Sequence, residues 1–193
     1  LEHCGATVTV TSDPDVIFLA SRVILPGVGA FSSAMAELTR LGLDTVVREV
    51  GASGRPLMGI CLGMQMLFDE SAEFGQTTGL GLIPGRVVSL PIKTISGERQ
   101  KIPHIGWSQL ELAPVREEGQ AQLLQGLKSG DAAYFVHSFM ANPTNMGDRV
   151  ADCIYGGHLV SADIMRDNII GCQFHPEKSG EVGLNMLREF LLL

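Results

Sequence analysis

Short apolar runs alternate through the first half of the chain with segments of helical period, and each run ends at glycine or proline. Val23-Ile24-Leu25 is closed by Pro26-Gly27-Val28-Gly29. Phe31, Ala34, Met35, Leu38 and Leu41 then recur at helical spacing, with Gly42 as the cap. Asp44 opens a second helical stretch carrying Val46, Val47 and Val50, stopped by Gly51. Leu57 to Ile60 is the next buried run, with Met64 to Phe68 helical behind it. Upstream, Thr7 to Thr11 alternates Thr and Val, the period of a half-buried strand. Ser12-Asp13-Pro14 then signals a helix start ahead of Val16 to Ala20. Runs this short and this apolar suit strands covered on both faces. Strand, helix, strand, helix therefore predicts an α/β fold: a mixed, largely parallel central sheet flanked by helices.

The second half is richer in strands, expected at Val87 to Leu90, Ile105 to Leu112, Tyr134 to Met140, Val150 to Tyr155, Leu159 to Met165 and Ile169 to Phe174. Val182, Met186, Leu187, Phe190 and Leu191 share one face of a last helix, and 71–79, 91–103 and 113–121 read as loops. Neither a repeat nor a composition shift divides the 193 residues, which suit one domain. A net charge of −7 with no basic run argues against nucleic acid or an anionic membrane as partner. Nothing approaches the apolar length of a membrane span or the pattern of a signal peptide, so the chain reads as cytoplasmic. Cys4, Cys61, Cys153 and Cys172 are too far apart for a C-x-x-C or metal cluster, leaving each as a core residue or a nucleophile.

Cys61 has the surroundings of a nucleophile. Gly59-Ile60-Cys61-Leu62-Gly63 stands where a buried strand meets a helix, the nucleophile elbow with sulfur for oxygen. A sharp strand-to-helix turn leaves no room for side chains two residues either side. With 23 glycines among 193 residues, four cysteines would give about 0.06 such patterns by chance. The helix start favours thiolate, and the Leu62 N–H is free for an oxyanion. A cysteine nucleophile needs a base, and the base an orienting group. Of five histidines, His175 follows a buried strand with Glu177 two residues on, and Pro176 keeps that stretch extended. Gly27-Val28-Gly29-Ala30-Phe31-Ser32 approaches the dinucleotide fingerprint, but Ser32 replaces its third glycine. The better reading is a loop that supplies a second oxyanion N–H from Val28 or Gly29.

By these residues the chain resembles a class I (triad-type) glutamine amidotransferase, a family of flavodoxin-like architecture. Gly59-Ile60-Cys61-Leu62-Gly63-Met64-Gln65 and Phe174-His175-Pro176-Glu177 carry the resemblance. Leu25 to Phe31, Pro103-His104-Ile105-Gly106-Trp107, Tyr134 to Ser138 and His175 to Gly180 resemble the branch that feeds imidazole glycerol phosphate synthesis in histidine biosynthesis. The resemblance implies glutamine as substrate, Cys61, His175 and Glu177 as triad, and Leu62, Val28 and Gly29 at the oxyanion. It implies Gln65, Ser138 and Phe139 around the amino-acid end of glutamine, with no metal and no organic cofactor. It further implies a heterodimer with a (β/α)8-barrel cyclase that receives the ammonia, with Tyr134, Trp107 and Lys178 near the interface or ammonia path. Ser108 stands where the family commonly has Asn, and Phe139 where it has Tyr. Ahead of Leu1 the family usually has a further strand and turn, so residues 1–193 read as one glutaminase domain truncated at its N-terminus. Two alternatives stand beside this: the glutaminase of another ammonia-using synthase, and a catalytically silent binding or regulatory subunit.

Overall fold

The structure is a computed structural model that describes residues 1–114 and 118–193. After a 3-10 turn at Glu2–Cys4 come α1 (Pro14–Leu19), β1 (Val23–Gly27), α2 (Phe31–Arg40), α3 (Leu43–Ala52), β2 (Leu57–Cys61) and α4 (Leu62–Met66). The middle of the chain forms β3 (Phe68–Ser71), β4 (Thr77–Thr78), β5 (Ile83–Ser89), β6 (His104–Gln109), β7 (Glu111–Leu112) and α5 (Glu118–Leu124). Then follow β8 (Ala132–His137), β9 (Phe139–Pro143), β10 (Arg149–Tyr155), β11 (His158–Arg166), β12 (Ile169–Cys172) and α6 (Gly180–Leu192). None of the helices described is long and apolar enough to cross a membrane.

A six-stranded sheet runs β1-β2-β12-β11-β10-β7. Within this sheet β1-β2 and β2-β12 are parallel and the other three pairs antiparallel, so the sheet is mixed as expected but not largely parallel. Because side chains alternate across a strand, Leu57 and Met58 of β2 enter different cores. Leu57 packs with Phe31, Val47, Met64 and Phe68 on one face. Met58 packs with Phe135, Ile170, Phe174, Met186 and Phe190 on the other. A four-stranded sheet (β4-β3-β5-β9) and the β6-β8 ribbon complete the frame.

Six sequence expectations need correction. Ile105 to Leu112 is two strands, β6 on β8 and β7 on β10, and the loop expected at 71–79 contains β4. Thr7 to Thr11 forms no strand: it meets no partner edge among the described residues, and Val10 is 97% exposed. Alternation makes a strand only where an edge receives it. The helix behind Cys61 starts and stops earlier than expected, and Phe68–Ser71 pairs with β5 instead. Tyr134 to Met140 is two strands, broken at Ser138, with β8 on β6 and β9 on β5. The break has a local cause, since the His137 ring Nδ1 bonds the Phe139 carbonyl at 2.8 Å. The loop expected at 113–121 contains the start of α5; its residues 115–117 lie outside the described residues.

Asp163 on β11 is fully buried, and among the described residues neither carboxylate oxygen has a hydrogen-bond partner. Burial, with Asp152 adding repulsion, pushes its carboxyl well above the usual range. Removing it should therefore stabilise the chain: Asp163→Ala is expected to gain about 1–3 kcal/mol. In a chain of this size each kcal/mol is about 2–4 °C in Tm. A raised folded-state pKa costs stability as pH rises through it, so the gap to wild type should narrow on acidification. Thermal melting of both proteins between neutral and acid pH checks this.

Candidate active site

Cys61 is the last residue of β2 and the residue before α4, with φ 55 and ψ −110. A non-glycine residue at this φ is strained by about 1–3 kcal/mol and persists only where its surroundings enforce it. The enforcement is close packing of backbone. A Cβ on Gly63 would lie 1.8 Å from the Leu25 carbonyl oxygen of β1, and one on Gly59 would lie 2.6 Å from the Gly63 backbone. The elbow can turn this tightly only because both are glycine.

Beneath the elbow lies a cavity of about 270 Å³ lined by Val28, Gly29, Cys61, Leu62, Gln65, Ser138, Phe139 and His175, together with Glu73, Pro103, Val136 and His137. The fold thus brings eight of the residues singled out in the sequence to one surface. Glu177 stands behind it: its Oε1 lies 2.8 Å from His175 Nδ1, which leaves Nε2 to face the cavity. The His175 turn is held by backbone. Its N–H donates to the Tyr134 carbonyl at 2.9 Å, and Ser179 Oγ donates to the His175 carbonyl at 2.7 Å while accepting the Tyr134 N–H at 3.0 Å.

The Cys61 sulfur is not hydrogen-bonded to His175. Its thiol donates to the Val136 carbonyl at 3.8 Å, and Gln173 Nε2 donates to the sulfur at the same distance. Burial pushes the thiol pKa up; the Leu62 N–H opposes this and the Glu177 carboxylate reinforces it. The expectation that a helix start would favour thiolate is thus overridden, because α4 is one short turn and the sulfur is desolvated. A thiol in this setting would need a base to act as a nucleophile. Cys153 and Cys172 are buried, and burial pushes the first up to about 12 and the second well above its ordinary value, which disfavours thiolate at both.

Val28 is 80% exposed at the rim, and Gly29 takes φ +98 with open space where a Cβ would point. The loop ends at α2, whose first N–H, that of Phe31, donates to Glu73 Oε2 at 2.6 Å. Gln65 lines the cavity with both amide hydrogens committed, to the Phe139 carbonyl at 3.1 Å and to Gln173 Oε1 at 2.9 Å. Only its own oxygen is left for a ligand. Trp107, Tyr134 and Lys178 do not line the cavity. Trp107 and Tyr134 are cross-strand neighbours on the β6-β8 ribbon with ring centroids 5.9 Å apart, Trp107 is 58% exposed, and Lys178 is exposed beyond His175.

Sequence reasoning missed Glu73, Gln173 and the pairing of His104 with His137. His104 Nδ1 lies 3.0 Å from His137 Nε2, and His104 Nε2 lies 2.8 Å from Ser108 Oγ. A carbonyl only accepts, so His137 holds its proton on Nδ1 toward Phe139. His104 then donates from Nδ1 and accepts from the Ser108 hydroxyl. Burial pushes both rings down to about 4, which keeps the arrangement neutral. Gln173 did leave a signal: it is the one polar residue inside the run Ile169 to Phe174, two before His175 and so on the same side of an extended chain.

The sequence profile described as "Glutamine amidotransferase class-I" matches residues 1–193. The chain is 47% identical over 190 residues to imidazole glycerol phosphate synthase subunit HisH 1 of Legionella pneumophila (strain Lens), covering 98% of this chain and 89% of that one. It is 45% identical over 191 residues to subunit HisH of Syntrophotalea carbinolica, with the same coverage. Among solved structures, a crystal structure of a glutamine amidotransferase superposes with a TM-score of 0.73 at 16% identity, over 99% of this chain and 88% of that one. The glutaminase domain of Trypanosoma brucei CTPS, with bound acivicin, gives 0.64 at 13% identity, over 99% and 85%. At such identities the structures speak for the fold alone.

Proposed function

The chain belongs to the class-I glutamine amidotransferase family, and from that premise we propose that it is the glutaminase subunit of an imidazole glycerol phosphate synthase in histidine biosynthesis. The observation that carries this is identity of 45–47% to HisH subunits across 98% of the chain, together with Cys61 and His175 on one cavity. Its partner is the cyclase subunit, which we read as a (β/α)8 barrel, and Trp107, Tyr134 and Lys178 face it. Residues 1–193 form one glutaminase domain. It works in the cytoplasm, where reducing conditions suit four free cysteines.

The chemistry follows from the site. His175 Nε2 takes the Cys61 proton while Glu177 fixes the ring through Nδ1. The sulfur adds to the side-chain amide carbon of glutamine, and the oxygen takes the charge against the N–H groups of Leu62 and the Val28-Gly29 loop. His175 returns the proton to the leaving nitrogen and ammonia departs. Water, deprotonated by the same ring, opens the thioester to glutamate and regenerates the thiol. Glu73, an anion on the cavity wall, suits the α-ammonium of glutamine, with the free oxygen of Gln65 beside it. The backbone at Ser138 and Phe139 borders the same end. The Phe139 carbonyl already receives Gln65 and His137, so it positions the segment rather than accepting from substrate.

Ammonia is mostly protonated at neutral pH and then no nucleophile, so release is useful only with the partner ready. The loop at Val28 and Gly29 is the gate in this reading: exposed, unencumbered and able to turn an N–H into or away from the oxyanion. Glutamate release is expected to rise from chain alone, to chain with cyclase, to the complex with its nucleotide precursor. No release from the loaded complex overturns the glutaminase reading; equal rates in all three overturn the gate.

A further inference from the structure

Gln173 is fully buried, does not line the cavity, and has no part in the chemistry above, yet its carboxamide is aimed at the reacting sulfur. A primary amide can be turned either way, so its orientation has to be derived. The Phe139 carbonyl only accepts, which fixes Gln65 with Nε2 toward it. The second hydrogen of that Nε2 needs an acceptor and finds Gln173 Oε1 at 2.9 Å. Turned the other way, Gln173 would set two donors against each other. Its Nε2 must therefore face Cys61 Sγ.

We propose that Gln173 is a further catalytic residue, whose N–H, locked in place by Gln65, stabilises the Cys61 sulfur as an anion. The proposal rests on Cys61 being the nucleophile. When the S–H proton passes to His175, the buried sulfur gains a full charge, and the Gln173 contact becomes charge-assisted. The same donor serves when the thioester opens and sulfur leaves as thiolate, before it recovers its proton from His175. The titratable or charged groups around the sulfur are His175 and Glu177 after β12, Cys172 on β12, His137 at the end of β8, and Glu73 across the cavity. The Glu177 carboxylate opposes thiolate. The Leu62 N–H and the Gln173 N–H favour it.

The test is the pH profile of Cys61 alkylation by iodoacetamide, read from the mass of the Cys61 peptide. Gln173→Met keeps the length of the side chain and removes the donor. Its half-maximal pH is expected to rise, with alkylation at neutral pH slower by about tenfold or more. Gln65→Met, which frees the Gln173 amide to turn, should shift the profile the same way by less. With the partner present, Gln173→Met should lower kcat for glutamine with little change in KM. If Gln173→Met does not fold, the wild-type protein answers: the Gln173 side-chain amide resonances should move as Cys61 titrates and again when it is alkylated. A wild-type alkylation profile in folded Gln173→Met, or amide resonances that ignore Cys61, overturns the proposal. Failure of Cys61 to alkylate at any pH overturns both it and the nucleophile assignment beneath it.

Discussion

His175→Ala is expected to cut glutamine hydrolysis by about 10⁴–10⁶-fold, the loss seen when a triad member that moves the proton is removed. The size follows from the state of Cys61. Burial raises the Cys61 thiol pKa, and the sulfur rests as a donor to the Val136 carbonyl. Without a ring to take the proton there is almost no thiolate to attack. Glu177→Gln should cost much less, because the Glu177 side chain is half-exposed and a glutamine oxygen can still accept from Nδ1. What it loses is the charge that favours imidazolium. Steady-state glutamate release by the complex of each variant with the cyclase checks the ranking, and near-normal turnover in His175→Ala would refute the base assignment.

Gly63→Ala is expected to unfold the elbow or the chain. The added methyl would sit 1.8 Å from the Leu25 carbonyl oxygen and 2.8 Å from its carbon. Both are backbone atoms of β1, paired along their whole strand with β2, so neither can retreat without breaking the sheet. A cost beyond about 4 kcal/mol follows, the range reserved for clashes of this kind. For a chain of this size it corresponds to a fall in Tm of roughly 10 °C or more. Gly5→Ala is the control: φ is +86 but nothing lies within 4 Å, so only backbone strain of about 1–2 kcal/mol applies. Equal melting temperatures in the two variants would mean that the close approach does not constrain the turn.

The comparison of these glycines explains what could be read from the sequence. Gly59, Cys61 and Gly63 lie within five residues of sequence, and a turn tight enough to need them is a local event, so residue types alone disclosed it. His175 and Glu177 were legible for the same reason. The strands whose both faces are buried, β2 and β12, were found because their apolar runs are uninterrupted. What escaped was set at a distance. Thr7 to Thr11 has the right alternation but no edge to join, and an edge is a property of the whole sheet. The break between β8 and β9 depends on one His137 hydrogen bond inside a run that otherwise reads as a continuous strand. Glu73 reaches the cavity across 42 residues of sequence to cap α2, and Gln173 meets Gln65 across 108. Polar residues of this kind look like ordinary surface or loop positions until the fold closes around them. The pull of the α4 start on Cys61 was also visible, but the competing desolvation was not.

The most direct measurement is to treat the chain, with and without its cyclase partner, with a glutamine-mimicking electrophile such as 6-diazo-5-oxo-norleucine and to map the adduct by mass spectrometry. A side-chain carbonyl analogue of glutamine should enter the cavity, meet the Cys61 sulfur and remain bound to it. A single adduct on Cys61, prevented by excess glutamine, is the expected result. An adduct on Cys4, Cys153 or Cys172 with Cys61 unmodified would contradict the account.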